Sequence, residues 1–154
     1  MAPEPPPTED WAWHDNTIYG LHLRSPDPGR QWWHSELVLD IDHIVGWVRR
    51  DDLYLFRMAP ATLVFDWVSD LRISVDFTGD PMSSAITEWS INVIEQTPIP
   101  SEKGGATYQW RILLNVPTGG EIAFRASGHR LSLRGEPQIV AGGWQGNRPP
   151  LILP

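Results

Sequence analysis

Between residues 11 and 141 apolar positions recur almost everywhere with a period of two. The clearest run is Asp70 to Phe77, where Leu71, Ile73, Val75 and Phe77 alternate with Asp70, Arg72, Ser74 and Asp76. That is how a strand with one dry and one wet face reads, whereas a helix would scatter the four apolar residues around its surface. Leu63, Phe65 and Trp67 repeat the pattern within 61–68, as do Trp89, Ile91 and Val93. Tyr108, Trp110, Ile112, Leu114 and Val116 make a longer stripe, followed by Ile122, Phe124 and Ala126 across Pro117-Thr118-Gly119-Gly120. That linker has hairpin chemistry, with Pro presetting one turn residue and Gly supplying positive φ. Residues 17–24, 53–58 and 130–134 are shorter candidates, and no segment sustains an i, i+3, i+4, i+7 apolar pattern. The pattern predicts an all-β domain, an antiparallel sandwich or partly open barrel of about eight to nine strands, largely hairpin-connected.

Composition sets the boundaries. A chain of 154 residues is most economically one domain, which at this size buries roughly 70% of its unfolded surface. Residues 1–10 hold prolines and acids and read as a disordered arm, 11–141 as a single β domain, and 142–154 as a flexible tail. The net charge is −7 and no basic run exceeds Arg49-Arg50, so the electrostatic footprint of a nucleic-acid binder is missing. There is no cysteine, which excludes disulfides and thiolate chemistry and fits a reducing compartment. The first residues do not read as a signal peptide, and no apolar run is long enough for a membrane span. The expectation is a soluble cytoplasmic protein.

Candidate chemistry concentrates in Leu37 to Ile44, LVLDIDHI. If 36–47 is a strand, Leu37, Leu39, Ile41, Val45 and Trp47 face the core together with His43, and Asp40 and Asp42 face the other way. Two carboxylates about 7 Å apart at Cα suit one hard cation if another strand helps. Exposed Asp being the norm, the first reading is a solvated face, with a cross-strand arginine such as Arg72 or Arg57, and His43 reads as a hydrogen-bonded interior or rim histidine. The second cluster is Trp13-His14-Asp15-Asn16, which is ordinary turn chemistry. Its functional alternative joins His14, His22, Asp40 and Asp42 into a mixed nitrogen and oxygen metal site.

Nine tryptophans divide by register. Trp47, Trp67, Trp89 and Trp110 fall in apolar stripes and read as core. Trp11, Trp13, Trp32, Trp33 and Trp144 do not, and exposed rings of this kind mark surfaces for partners or sugars. No nucleophile elbow, zinc-protease helix, P-loop or dinucleotide fingerprint is present. The reading is a non-enzymatic binding or interaction module without cofactor, using Trp13, His14, Asp15, His22, Trp32, Trp33, Asp40 and Asp42. Its rivals are a metal-dependent hydrolase on the histidine and aspartate face and a barrel enclosing a small apolar ligand.

The blocks WHDNTIYGLHL, ELVLDIDHIVGW, MAPATLVFDWVSDLRISVDF and GGEIAFRASGHRLSLRGEP resemble, in this order, a family of small bacterial β-rich proteins with no assigned activity. The resemblance spans roughly residues 11 to 138 and carries no catalytic motif. It implies the same β fold and no cofactor.

Overall fold

The structure, a computed structural model, describes residues 13–76, 87–101, 103–140 and 148–151. The arm expected at 1–10 lies outside the described residues, as do Trp11, Phe77, Trp144 and most of the tail expected at 142–154.

Among the described residues nine strands follow in chain order: β1 (Thr17–Arg24), β2 (Glu36–Arg50), β3 (Leu53–Asp66), β4 (Ser69–Ser74), β5 (Trp89–Ile99), β6 (Thr107–Val116), β7 (Glu121–Ala126), β8 (Gly128–Leu133) and β9 (Gln138–Val140). They form one antiparallel sheet in the order β4-β7-β6-β5-β1-β2-β3-β8, with β9 beside β8 on β3. No helix among the described residues is long and apolar enough to cross a membrane.

Two short links show that this sheet curls. Trp67-Val68 joins β3 to β4, and Ser127 alone joins β7 to β8, although each pair lies far apart in the sheet order. The curl brings Phe65 of β3 onto Trp110 of β6 and Phe124 of β7, with ring centroids 5.0 and 4.7 Å away. Leu37, Leu39, Ile41, Leu63, Ile91, Ile112 and Ile122 fill the interior around these rings. Each comes from an alternating stripe, so the period of two became the inside of the curl.

Four details depart from the sequence pattern. Residues 53–58 and 61–68 read as separate strands, but β3 runs through Pro60 without a break. The Pro60 carbonyl accepts from Arg134 N at 2.7 Å. A residue's N–H and C=O leave a strand on the same side, so the absent proline N–H falls in the gap between β8 and β9, where no ladder bond is lost. β4, the most regular alternation, is a largely exposed edge strand. A bulge between Ile44 and Gly46 shifts the phase of β2. Val45 is thereby exposed, and Trp47 joins Ile44, Met58, Phe56 and Val140 in a second small core. Trp67, expected in the core, sits past the end of β3 at φ 58° and is 59% exposed.

Candidate functional site

The even-numbered face of β2 points away from the main core and carries Glu36, Val38, Asp40 and Asp42. Register places Arg24, His22 and Gly20 of β1 beside Glu36, Val38 and Asp40, and Asp66, Val64, Thr62 and Pro60 of β3 on the other side. Arg130 and Ser132 of β8 extend this face beyond Val64 and Thr62. Alternation makes this a wet face, yet Glu36, Val38 and Asp42 are buried. Arginines seal it at both ends.

At one end, Asp40 Oδ1 accepts from Arg134 Nη2 at 2.5 Å and from Arg148 Nη2 at 2.7 Å. Arg148 Nη1 also donates to Asp42 Oδ1, and the Tyr19 hydroxyl donates to Asp42 Oδ2 at 3.0 Å. Burial, with the Asp42 charge and hydrogen bond adding to it, pushes the Tyr19 hydroxyl up to about 12. Arg134 Nη1 reaches Thr62 Oγ1 and the Ala61 carbonyl at 3.1 and 3.3 Å. The carboxylates thus do have arginine partners, but these are Arg134 and Arg148 rather than Arg72 or Arg57. A cation at Asp40 and Asp42 would have to displace guanidinium groups already in place.

At the other end, Glu36 is wholly buried opposite Asp66. Arg130 Nη2 bridges them, 2.7 Å from Glu36 Oε1 and 2.9 Å from Asp66 Oδ1, while Arg130 Nε donates to Asp66 Oδ2 at 3.1 Å. Arg24 Nη1 stands 3.6 Å from Glu36 Oε2, its guanidinium 3.9 Å above the Trp32 ring. His34 is sandwiched between Trp32 and Trp67, each centroid 4.7 Å away, and is nearly parallel to Trp67. Burial pushes the Glu36 carboxyl above its ordinary value, and Asp66 adds to the rise against the opposing pull of Arg130 and Arg24. Burial acts upward on Asp66 too, but the Arg130 hydrogen bonds and charge outweigh it and hold that carboxyl low. Trp32 Nε1 is buried without a hydrogen-bond partner, and Arg24 Nη1 and Glu36 Oε2, which also lack one, face each other as an ion pair at 3.6 Å, so this end is closed less tightly by hydrogen bonds.

Among the described residues, His34, Glu36 and Asp66 are the group whose potential metal-ligand atoms lie within 4.8 Å of one another, rather than any set drawn from His14, His22, Asp40 and Asp42. Arg130 Nη2 already touches both carboxylates where an ion would sit, so this donor set suits a metal only with Arg130 withdrawn. Comparison with family models, curated proteins and solved structures finds no match. What the site does must therefore be argued from its geometry.

The remaining sequence candidates separate. Trp13 packs on the core, 5.2 Å from the His43 ring and 6.0 Å from His129. His14 Nδ1 lies 3.0 Å from Asp15 Oδ2, and Asp15, at φ 64°, accepts from Asn115 Nδ2 at 3.1 Å. Asn16 Oδ1 accepts from Ile44 N at 2.9 Å and from His43 Nδ1 at 3.1 Å, so this turn fastens the chain to the bulge of β2, and burial holds the His43 imidazole below its ordinary value. His22 is exposed on the outer face. Trp33, between Trp32 and His34 in the chain, is 64% exposed.

Sequence reading reached Trp32 and Trp33 but missed His34, Glu36, Asp66, Arg24 and Arg130. One signal was present: His34 and Glu36 continue toward the N-terminus the even-numbered alternation that carries Asp40 and Asp42.

Proposed function

We propose that the chain is a binding module that takes a neutral, polyhydroxylated ring, a sugar unit, on the Trp67 indole, with His34, Asp66 and Arg130 as the polar rim. One observation carries the reading. Trp67 is a bulky residue held at positive φ, more than half exposed, with one face stacked on His34 beside a paired carboxylate and guanidinium. Such a backbone costs about 1–3 kcal/mol and persists where the surroundings impose it, often at ligand sites.

The chemistry suits a sugar. The C–H face of a pyranose meets the negative face of an indole, and its hydroxyls need both acceptors and donors, which Asp66 and Arg130 supply. A charged ligand gains less, because the charges of Glu36 and Asp66 are offset by Arg24 and Arg130. Trp33, 64% exposed and lying between Trp32 and His34 in the chain, offers a further exposed ring. The two carboxylates share with acid and base pairs an arrangement that pushes their pKa values apart, but Glu36 is out of reach of any substrate. The lack of cysteine supports a reducing compartment such as the cytoplasm.

The test titrates the protein with neutral oligosaccharides of glucose, xylose, mannose and N-acetylglucosamine, following tryptophan fluorescence and heat. Saturable binding to at least one of them, lost in Trp67→Ala and weakened in Trp33→Ala, is expected. Failure to bind any member of the set overturns the reading. Release of nitrophenol from nitrophenyl glycosides by the wild type would turn it toward a hydrolase.

A further inference from the structure

The opposite end of the same face has the form of a recognition site that is already filled. Arg148 lies more than 100 residues from its partners in sequence and belongs to no strand. Its guanidinium lies 3.9 Å above the Tyr19 ring and spans two separate carboxylates, Asp40 and Asp42. A planar fork lying on an aromatic face and reaching two acceptors is the geometry that distinguishes arginine from lysine.

The pocket is built without Arg148. Asp42 is oriented by the Tyr19 hydroxyl and Asp40 by Arg134, which is itself anchored on Thr62 and the Ala61 carbonyl. The bulge between Ile18 and Gly20 turns Tyr19 out of the β1 register, and Gly20 stands directly opposite Asp40. With Arg148 removed, two carboxylates face one remaining guanidinium, and the buried Asp42 lacks its cation.

The filling segment is suited to exchange. Pro149 and Pro150 follow Arg148; they favour an extended backbone and donate no hydrogen bond. Among the described residues, the hydrogen bonds that hold 148–151 to the sheet come from the Arg148 guanidinium.

We infer that Tyr19, Asp40 and Asp42 form a guanidinium-binding pocket that the chain's own Arg148 fills, and that an arginine of a partner polypeptide, presented on an extended proline-flanked segment, occupies it when Arg148 is withdrawn. The inference is independent of the sugar site. Arg148 acts as a competitor in cis, so a partner must outcompete it.

The experiment uses full-length Arg148→Ala and a fluorescein-labelled peptide with the chain's own sequence GNRPPL. The peptide is expected to bind the variant at least about 10-fold more tightly than wild type. The same peptide with lysine for arginine should bind at least about 10-fold more weakly. The variant should melt roughly 5–10 °C below wild type, and about 20 mM N-methylguanidine should restore part of that loss where methylammonium does not. If the variant does not fold alone, recovery of folding by N-methylguanidine is the readout. A folded variant that ignores both peptide and N-methylguanidine, an unfolded one that N-methylguanidine does not recover, or equal binding of the arginine and lysine peptides overturns the inference and leaves a structural ion pair only.

Discussion

Both ends of the outer face of β2 hold a carboxylate pair and two arginines, yet they are finished differently. At the Asp40/Asp42 end the arginines reach both carboxylates and a tyrosine, and Arg134 Nε is the network's one buried polar atom lacking a hydrogen bond among the described residues. At the Glu36/Asp66 end three such atoms remain, two of them facing each other as the Arg24–Glu36 ion pair at 3.6 Å, a tryptophan sits at positive φ, and one carboxyl is pushed up by burial while its neighbour is held low. Between them Val38 is wholly buried. A completed polar network fixes a fold, and an incomplete one keeps interaction capacity in reserve at a cost in stability. Identical residue types thus support different roles, according to how their hydrogen bonds close.

The largest effect should come from breaking the completed end. Asp40→Ala leaves the nearly buried Arg134 without its carboxylate, and removing one partner of such a pair costs about 3–5 kcal/mol. Urea melts should show that loss at neutral pH, and a loss below about 1 kcal/mol would mean that the network does not hold the fold. Glu36→Gln at the other end should act oppositely. A carboxyl raised in the folded state contributes stability that is present below its ordinary value of 4.5 and lost as pH rises through its folded-state value. Glu36→Gln should therefore lack this loss, and its melting temperature should gain on wild type as pH rises from 4.5 to neutrality. A variant that instead loses ground over that range would place Glu36 among the fully satisfied groups.

The contrast between the ends also explains what the sequence could and could not reveal. Stripes such as Tyr108 to Val116 expose their face through spacing alone, because strand alternation is local, so the all-β antiparallel fold was legible. The split of Asp40 and Asp42 from His43 was legible for the same reason. Pairing is not local. Asp66 meets Glu36, and Arg130 reaches both, only after β3 and β8 are laid beside β2 in one register. Arg148 arrives from the far end of the chain. Trp67 misled because it continues the Leu63 and Phe65 alternation, while a backbone turn that begins at that residue carries it outside.

Trp67 offers a smaller test of the same contrast. Trp67→Gly removes the ring stacked on His34, worth about 0.5–1.5 kcal/mol, and relieves a positive-φ strain of about 1–3 kcal/mol. The two nearly cancel, so the melting temperature should stay within about 3 °C of wild type while sugar binding disappears. A collapse of stability would make Trp67 a packing residue and remove the reason for placing a ligand on it.

The smallest expected effect is the most discriminating. Glu36 and Asp40 are four residues apart on one strand, about 13 Å, with Val38 between them and no arginine common to both pairs among the described ion pairs. Sites so separated should be additive within about 0.3–0.5 kcal/mol. A double-mutant cycle combining Glu36→Gln with Asp40→Ala should thus return almost no interaction energy. A coupling above about 1 kcal/mol would mean that charge rearrangement passes along the face despite Val38, so that withdrawing Arg148 at one end would alter the sugar site at the other. Near-zero coupling would establish two independent binding surfaces built from one strand's alternation.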